Sequence, residues 1–123
     1  MLFRSRTDTR LVAHAWILEN VPPKSLVAAE SSTPPLGVRP VLDLALPGPG
    51  RPFDPNRDVE RLRELGADYV LVTGAVADRV LAAAADYPRE SRFYGELETG
   101  ADRVLLVPPG DGLAGPWVAL YRL

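Results

Sequence analysis

The chain has 123 residues, 46% of them apolar, 24% charged and 7% aromatic, with 16 acidic against 14 basic side chains and a formal charge of −2. The absence of cysteine and the single histidine, His14, exclude disulfides and a Cys/His structural zinc site, and the slightly acidic balance excludes a global basic field for nucleic acid. The longest apolar run, Val80 to Ala85, falls far short of the roughly 20 residues a membrane-spanning helix needs, and Met1 to Asp8 lacks the apolar stretch of a secretory signal.

A helix is expected to open at Thr7 or Asp8 and to run to Asn20, because either residue caps free amide groups and Pro22-Pro23 forbids continuation. Leu11, Val12, Ala15, Trp16 and Leu18 form its apolar stripe. Ser25 to Glu30 reads as a short buried strand. The segment from 31 to 53 is rich in proline and glycine and irregular, apart from a weak edge strand over Val41 to Leu46. Asp54-Pro55 supplies a cap and a first-turn proline for a helix bearing Val59, Leu62 and Leu65 and ending at Gly66. Tyr69 to Thr73 is apolar on both faces, the pattern of a central strand. Gly74 then turns the chain into a helix over about Val76 to Asp86, and a second helix runs from Pro88 or Arg89 to Glu98 and closes at Gly100. Arg103 to Val107 and Trp117 to Leu123 are strands that pair as an antiparallel hairpin across Pro108 to Pro116. The order predicts an α/β fold: one domain over residues 1–123, a layered sandwich with a mostly parallel sheet and an antiparallel C-terminal hairpin, residues 1–7 being disordered.

Chemistry-bearing patterns are sparse. Gly74 sits where phosphate-binding folds put a glycine loop, but one glycine without the lysine and hydroxyl of an NTP loop reads as an ordinary strand-to-helix turn. None of the serines sits in a Gly-X-Ser-X-Gly elbow. His14 lies at the border of the first helix's stripe and reads as a partly buried or surface residue. Among the acids Glu30 stands out, because ligands of open α/β sheets bind at strand C-termini. The plainer reading makes it a solvated or Arg-paired carboxylate. Glu30 and Gly74 are therefore the ligand-site candidates, and no residue is assigned to catalysis, to a cofactor or to a metal.

Three stretches carry a resemblance. Trp16 to Glu30 (WILENVPPKSLVAAE), Gly66 to Val80 (GADYVLVTGAVADRV) continuing to Tyr87-Pro-Arg-Glu-Ser-Arg-Phe-Tyr94, and Gly115 to Leu123 (GPWVALYRL) together resemble the soluble C-terminal region of bacterial polyprenyl-phosphate-sugar-dependent membrane glycosyltransferases, similar to protein mannosyltransferases. Lys24 stands where that family often has glycine, and Ala77 and Val80 stand where it often has tyrosines. The family's catalytic acid and lipid-phosphate contacts belong to its membrane part, so the resemblance implies a noncatalytic accessory domain on the extracytoplasmic face. Its work would be packing on the membrane region or recognising an acceptor glycan, an acceptor protein or a partner, with no cofactor.

Three other readings compete. One is a free-standing small-ligand or protein-binding module with a pocket near Glu30 and Gly74. Another is a sugar-acting enzyme in which Glu30 and Asp43 face one cleft at about 5 to 10 Å. The last is a homodimer through a strand edge or the Trp117 region.

Overall fold

The computed structural model describes residues 7–49 and 51–123. Residues 1–6, expected to be disordered, lie outside the described residues, whereas Thr7 is held in a two-residue strand. That strand, β1 (Thr7–Asp8), leads directly into helix α1 (Thr9–Asn20), whose first turn is capped by the Asp8 side chain accepting the Arg10 amide N–H at 2.8 Å. The other end of α1 is held by Arg39. Its buried guanidinium donates from Nε to the carbonyl of Val21 at 3.0 Å and from Nη2 to that of Leu18 at 3.3 Å. A cation against the negative end of the helix dipole is stabilising, and these carbonyls lack partners inside the helix.

The buried face of α1 is not the expected stripe. Thr9, Ala13 and Ile17, spaced four apart, face inward, whereas Leu11 is 62% and Leu18 48% exposed and Val12 also faces outward. Thr9 and Ala13 are small enough to bring the helix close to the sheet, and the Thr9 hydroxyl donates to the Pro116 carbonyl. Fit to the sheet, not apolar content, selected the face.

The fold is mixed α/β. Strands β2 (Val27–Glu30), β3 (Val41–Leu44), β4 (Tyr69–Thr73), β5 (Asp102–Val107) and β7 (Val118–Arg122) form a five-stranded sheet in the order β3-β2-β4-β7-β5. β2 pairs in parallel with β3 and with β4, while β7 runs antiparallel to both β4 and β5. The sheet is thus evenly mixed and not mostly parallel. β7 does pair with β5 as a hairpin, but it inserts beside the middle strand β4, and the buried residues Val118 to Tyr121 on both of its faces suit that interior place. The connection between β5 and β7 contains β6 (Leu113–Ala114), which pairs in parallel with β1 to make a separate two-stranded sheet.

Helix α2 (Val59–Glu64) starts later than expected, capped by Asp58, whose carboxylate accepts the Arg61 amide N–H at 2.9 Å. Asp54-Pro55 forms a turn instead, because the Asp54 carboxylate takes the amide N–H groups of Asn56 and of Ala45. Helix α3 (Gly74–Ala82) begins at Gly74 itself, with the Thr73 hydroxyl accepting the Ala75 N–H, and α4 (Pro88–Gly100) has proline at its start.

Strand alternation sends residues to two apolar clusters. Ala28, Val70, Val72 and Ala119 meet Leu62 of α2, Val76 and Val80 of α3, and Phe93 and Leu97 of α4. Val27, Leu71, Val118 and Leu120 meet Ala13 and Ile17 of α1. Among the described residues no helix is long and apolar enough to cross a membrane.

Candidate functional site

The parallel strands β2 and β4 end side by side at Glu30 and Thr73, and the chemistry of the fold concentrates there. Glu30 is 3% exposed. One carboxylate oxygen, Oε1, accepts the backbone N–H of Thr73 at 3.0 Å. The other, Oε2, accepts from Arg57 Nη1 at 2.7 Å and from the Tyr94 hydroxyl. Arg57 arrives from the turn before α2, where its Nε also donates to the Ala45 carbonyl at 2.7 Å. Its guanidinium lies 5.8 Å from the Phe93 ring centre and 5.9 Å from that of Tyr94, within the range of cation–π attraction.

Burial alone would disfavour the charged guanidinium, but Glu30 and Tyr94 outweigh it and hold the Arg57 pKa above its ordinary value. Burial, reinforced by the Glu30 carboxylate, pushes the Tyr94 hydroxyl far above the usual tyrosine range, so it remains a donor. The result is a desolvated ion pair stitched to β4, to the turn at 54–57 and to α4. Both oxygens of the acid are occupied by the protein itself.

Gly74 adjoins this cluster and has a different task. Its N–H donates to the Trp117 carbonyl at 2.8 Å. A Cβ at this position would lie 2.5 Å from Trp117 Nε1 and 2.6 Å from its Cδ1, so only glycine leaves room for the indole. The indole N–H in turn donates to the Asp78 carboxylate on α3, 3.0 Å away. Trp117 is thereby fixed in place, with Gly74 on one side of its five-membered ring and Asp78 at its nitrogen.

The structure brings Glu30 and Gly74 to one end of the sheet but separates Glu30 from Asp43. Asp43 pairs with Ala29 and Glu30 with Leu44, so strand alternation sends the two acids to opposite faces, and Asp43 is exposed. They share no cleft. His14 contacts the Pro35 carbonyl through Nδ1 at 2.8 Å, which ties α1 to the following loop. Among the described residues no group of three His, Asp or Glu is placed to hold a metal ion.

No family model, curated protein or solved structure matches the chain.

Sequence reasoning did not single out Arg57 and Tyr94 as partners of Glu30. A buried strand-end acid needs hydrogen-bond or ionic partners, but no local pattern marks Arg57 or Tyr94 as those partners, because they lie 27 and 64 residues further along the chain. The Asp78–Trp117 bond had no local signature, because 39 residues separate its ends.

Proposed function

We propose that this chain is a noncatalytic accessory domain resembling the soluble C-terminal region of a bacterial membrane glycosyltransferase. It acts at an extracytoplasmic face by packing on the membrane region or by recognising an acceptor or partner. The observation that carries this reading is how the residues of the resembling stretches are used. Glu30 closes the first stretch, Thr73 and Tyr94 belong to the second, and Trp117 belongs to the third. Each is engaged in holding one element to another, through the Glu30 cluster or through the seat of Trp117 on Gly74. They serve as fold determinants of a module whose output is a surface.

The outward side of α1 supports a binding role. Leu11, Val12 and Leu18 are exposed, and Leu18 borders Gly37, next to Val38 at 84% exposure. Exposed apolar residues grouped on one face mark interaction surfaces more often than isolated ones do.

Two measurements test the reading. Incubated with a polyprenyl-phosphate-linked sugar and acceptor peptides, the purified chain is expected to transfer nothing. A photo-crosslinker placed at Leu18 in cells is expected to capture a multi-spanning membrane polypeptide, or the spans of its own reading frame. Turnover by the chain, or crosslinks confined to proteins without membrane spans, would overturn the proposal.

A further inference from the structure

A cavity of about 170 Å³ lies between the proline- and glycine-rich loop and the start of α4. Among its described residues only Glu90 is buried, at 6% exposure, and it forms the floor; Arg51, Arg89 and Asp86 are exposed at the mouth. None of the described residues pairs with the Glu90 carboxylate. The four ion pairs lie elsewhere, and no described hydrogen bond ends on it. Glu30, buried to a similar degree, accepts from Thr73, Arg57 and Tyr94. A buried carboxylate without donors is costly. Its place in the first turn of α4 eases the charge through the helix dipole but supplies no hydrogen bond. The floor of the cavity therefore calls for a cationic donor from outside the chain.

The mouth calls for the opposite charge. Tyr87, at the N-cap of α4, makes no side-chain capping bond, Pro88 has no N–H, and the amides of Arg89 and Glu90 donate to no described acceptor. Free amides at the positive end of a 13-residue helix attract an anion. Arg89 strengthens the attraction. Its guanidinium stacks 4.2 Å from the centre of the Phe53 ring, which holds it by its face and leaves its in-plane N–H groups free. Arg51 is the second cation there, and Asp86 is the one acid against the two.

This vertical separation of charge selects the ligand. A lone cation must pass two arginines, and a lone anion must face Glu90. A molecule with both charges a few bonds apart satisfies floor and mouth together. The volume lies below the roughly 300–1,000 Å³ of drug-sized sites, which limits the ligand to a small metabolite. We propose that this cavity binds a small zwitterion of the α-amino acid class, with its ammonium group on Glu90 and its carboxylate at the start of α4 beside Arg51 and Arg89. The inference does not rest on attachment to a membrane enzyme, since a free-standing domain presents the same cavity.

The test is an NMR titration of the isotope-labelled full chain at neutral pH with glycine, alanine and serine. Ethylamine and propionate, each alanine without one of its charged groups, are the single-charge probes. At least one amino acid is expected to shift the Arg89 and Glu90 amides saturably with a Kd of about 0.1 to 10 mM, and both single-charge probes to bind at least about 10-fold more weakly. Glu90→Gln is expected to weaken amino acid binding by about 10-fold or more, and Arg51→Gln by about 2- to 5-fold. A thermal melt separates this role from a purely structural one. Without amino acid, Glu90→Gln should melt at or above wild type, because it removes a buried charge that no described residue pairs with. The proposal is overturned if no amino acid gives a saturable shift by about 50 mM, if ethylamine or propionate binds as tightly as the amino acids, or if either variant binds unchanged. It is also overturned if Glu90→Gln melts more than about 3 °C below wild type, since the chain itself would then be the partner of that carboxylate.

Discussion

Replacing Glu30 by glutamine keeps the shape of the side chain and removes its charge. The Arg57 side chain is 2% exposed and that of Glu30 0%, so the guanidinium left behind cannot reach water. It would keep the Ala45 carbonyl and the Tyr94 hydroxyl but have no anion. Breaking a buried ion pair from one side costs about 3–5 kcal/mol. The new amide oxygen still accepts from Thr73 or Tyr94, which places Glu30→Gln near the lower end, about 3 kcal/mol. A domain of this size loses roughly 3–5 °C of Tm per kcal/mol, so the variant should melt about 10–15 °C below wild type. Circular dichroism melts at neutral pH measure this, alongside Arg57→Met and the double variant. Arg57→Met strands the carboxylate and should cost a similar amount. The double variant holds no buried charge and should be more stable than the sum of the singles by at least about 2 kcal/mol. A Glu30→Gln melt within about 3 °C of wild type, or strict additivity, would refute the account of a desolvated pair tying the strand ends together.

Gly74→Ala drives a methyl group into the indole of Trp117 and should cost about 1–3 kcal/mol, with a displaced Trp117 indole NMR signal; an unmoved signal would contradict the close approach. Burial, with help from Glu98, pushes the Tyr121 pKa from 10.0 up to about 12. A raised tyrosine contributes stability that is complete below its unfolded pKa and is lost as pH rises through its folded one. Urea unfolding should therefore show wild type losing more stability between pH 10 and 12 than Tyr121→Phe, whereas parallel profiles would contradict the assignment. Leu11→Ser and Leu18→Ser on the outer face of α1 should each change stability by no more than about 0.5 kcal/mol. A large fall in Tm for either would mean that this face is the buried one.

Much of the fold is legible in the residues because the signals are local. The two-sided apolar run of Tyr69 to Thr73 belongs to the middle strand, and Pro88 and Gly100 bracket α4. The misreadings arise where a distant partner decides. On α1 the leucines outweigh Thr9 and Ala13 in any local measure, yet the small residues face the sheet and Thr9 has a hydrogen-bond acceptor there, at Pro116. At Asp54-Pro55 the local pattern is a sound helix start, but the Ala45 N–H claims one of the carboxylate oxygens and turns the segment into the arm that delivers Arg57. The two-residue strands β1 and β6 are too short to show any period. At the candidate site, the position of Glu30 was visible as a strand end, while its burial depended on Arg57 and Tyr94, 27 and 64 residues further on.

The interior place of β7 has a consequence for how the molecule comes into being. Until residues 118–122 are available, no strand joins β4 to β5 in the sheet, and the apolar side chains that β7 covers remain open to water and to other chains. On a ribosome the earlier elements must wait for the last strand, much as an arch stands only once its keystone is set. Removing this strand would therefore split the sheet into separate pieces, whereas loss of an outer strand would only narrow it.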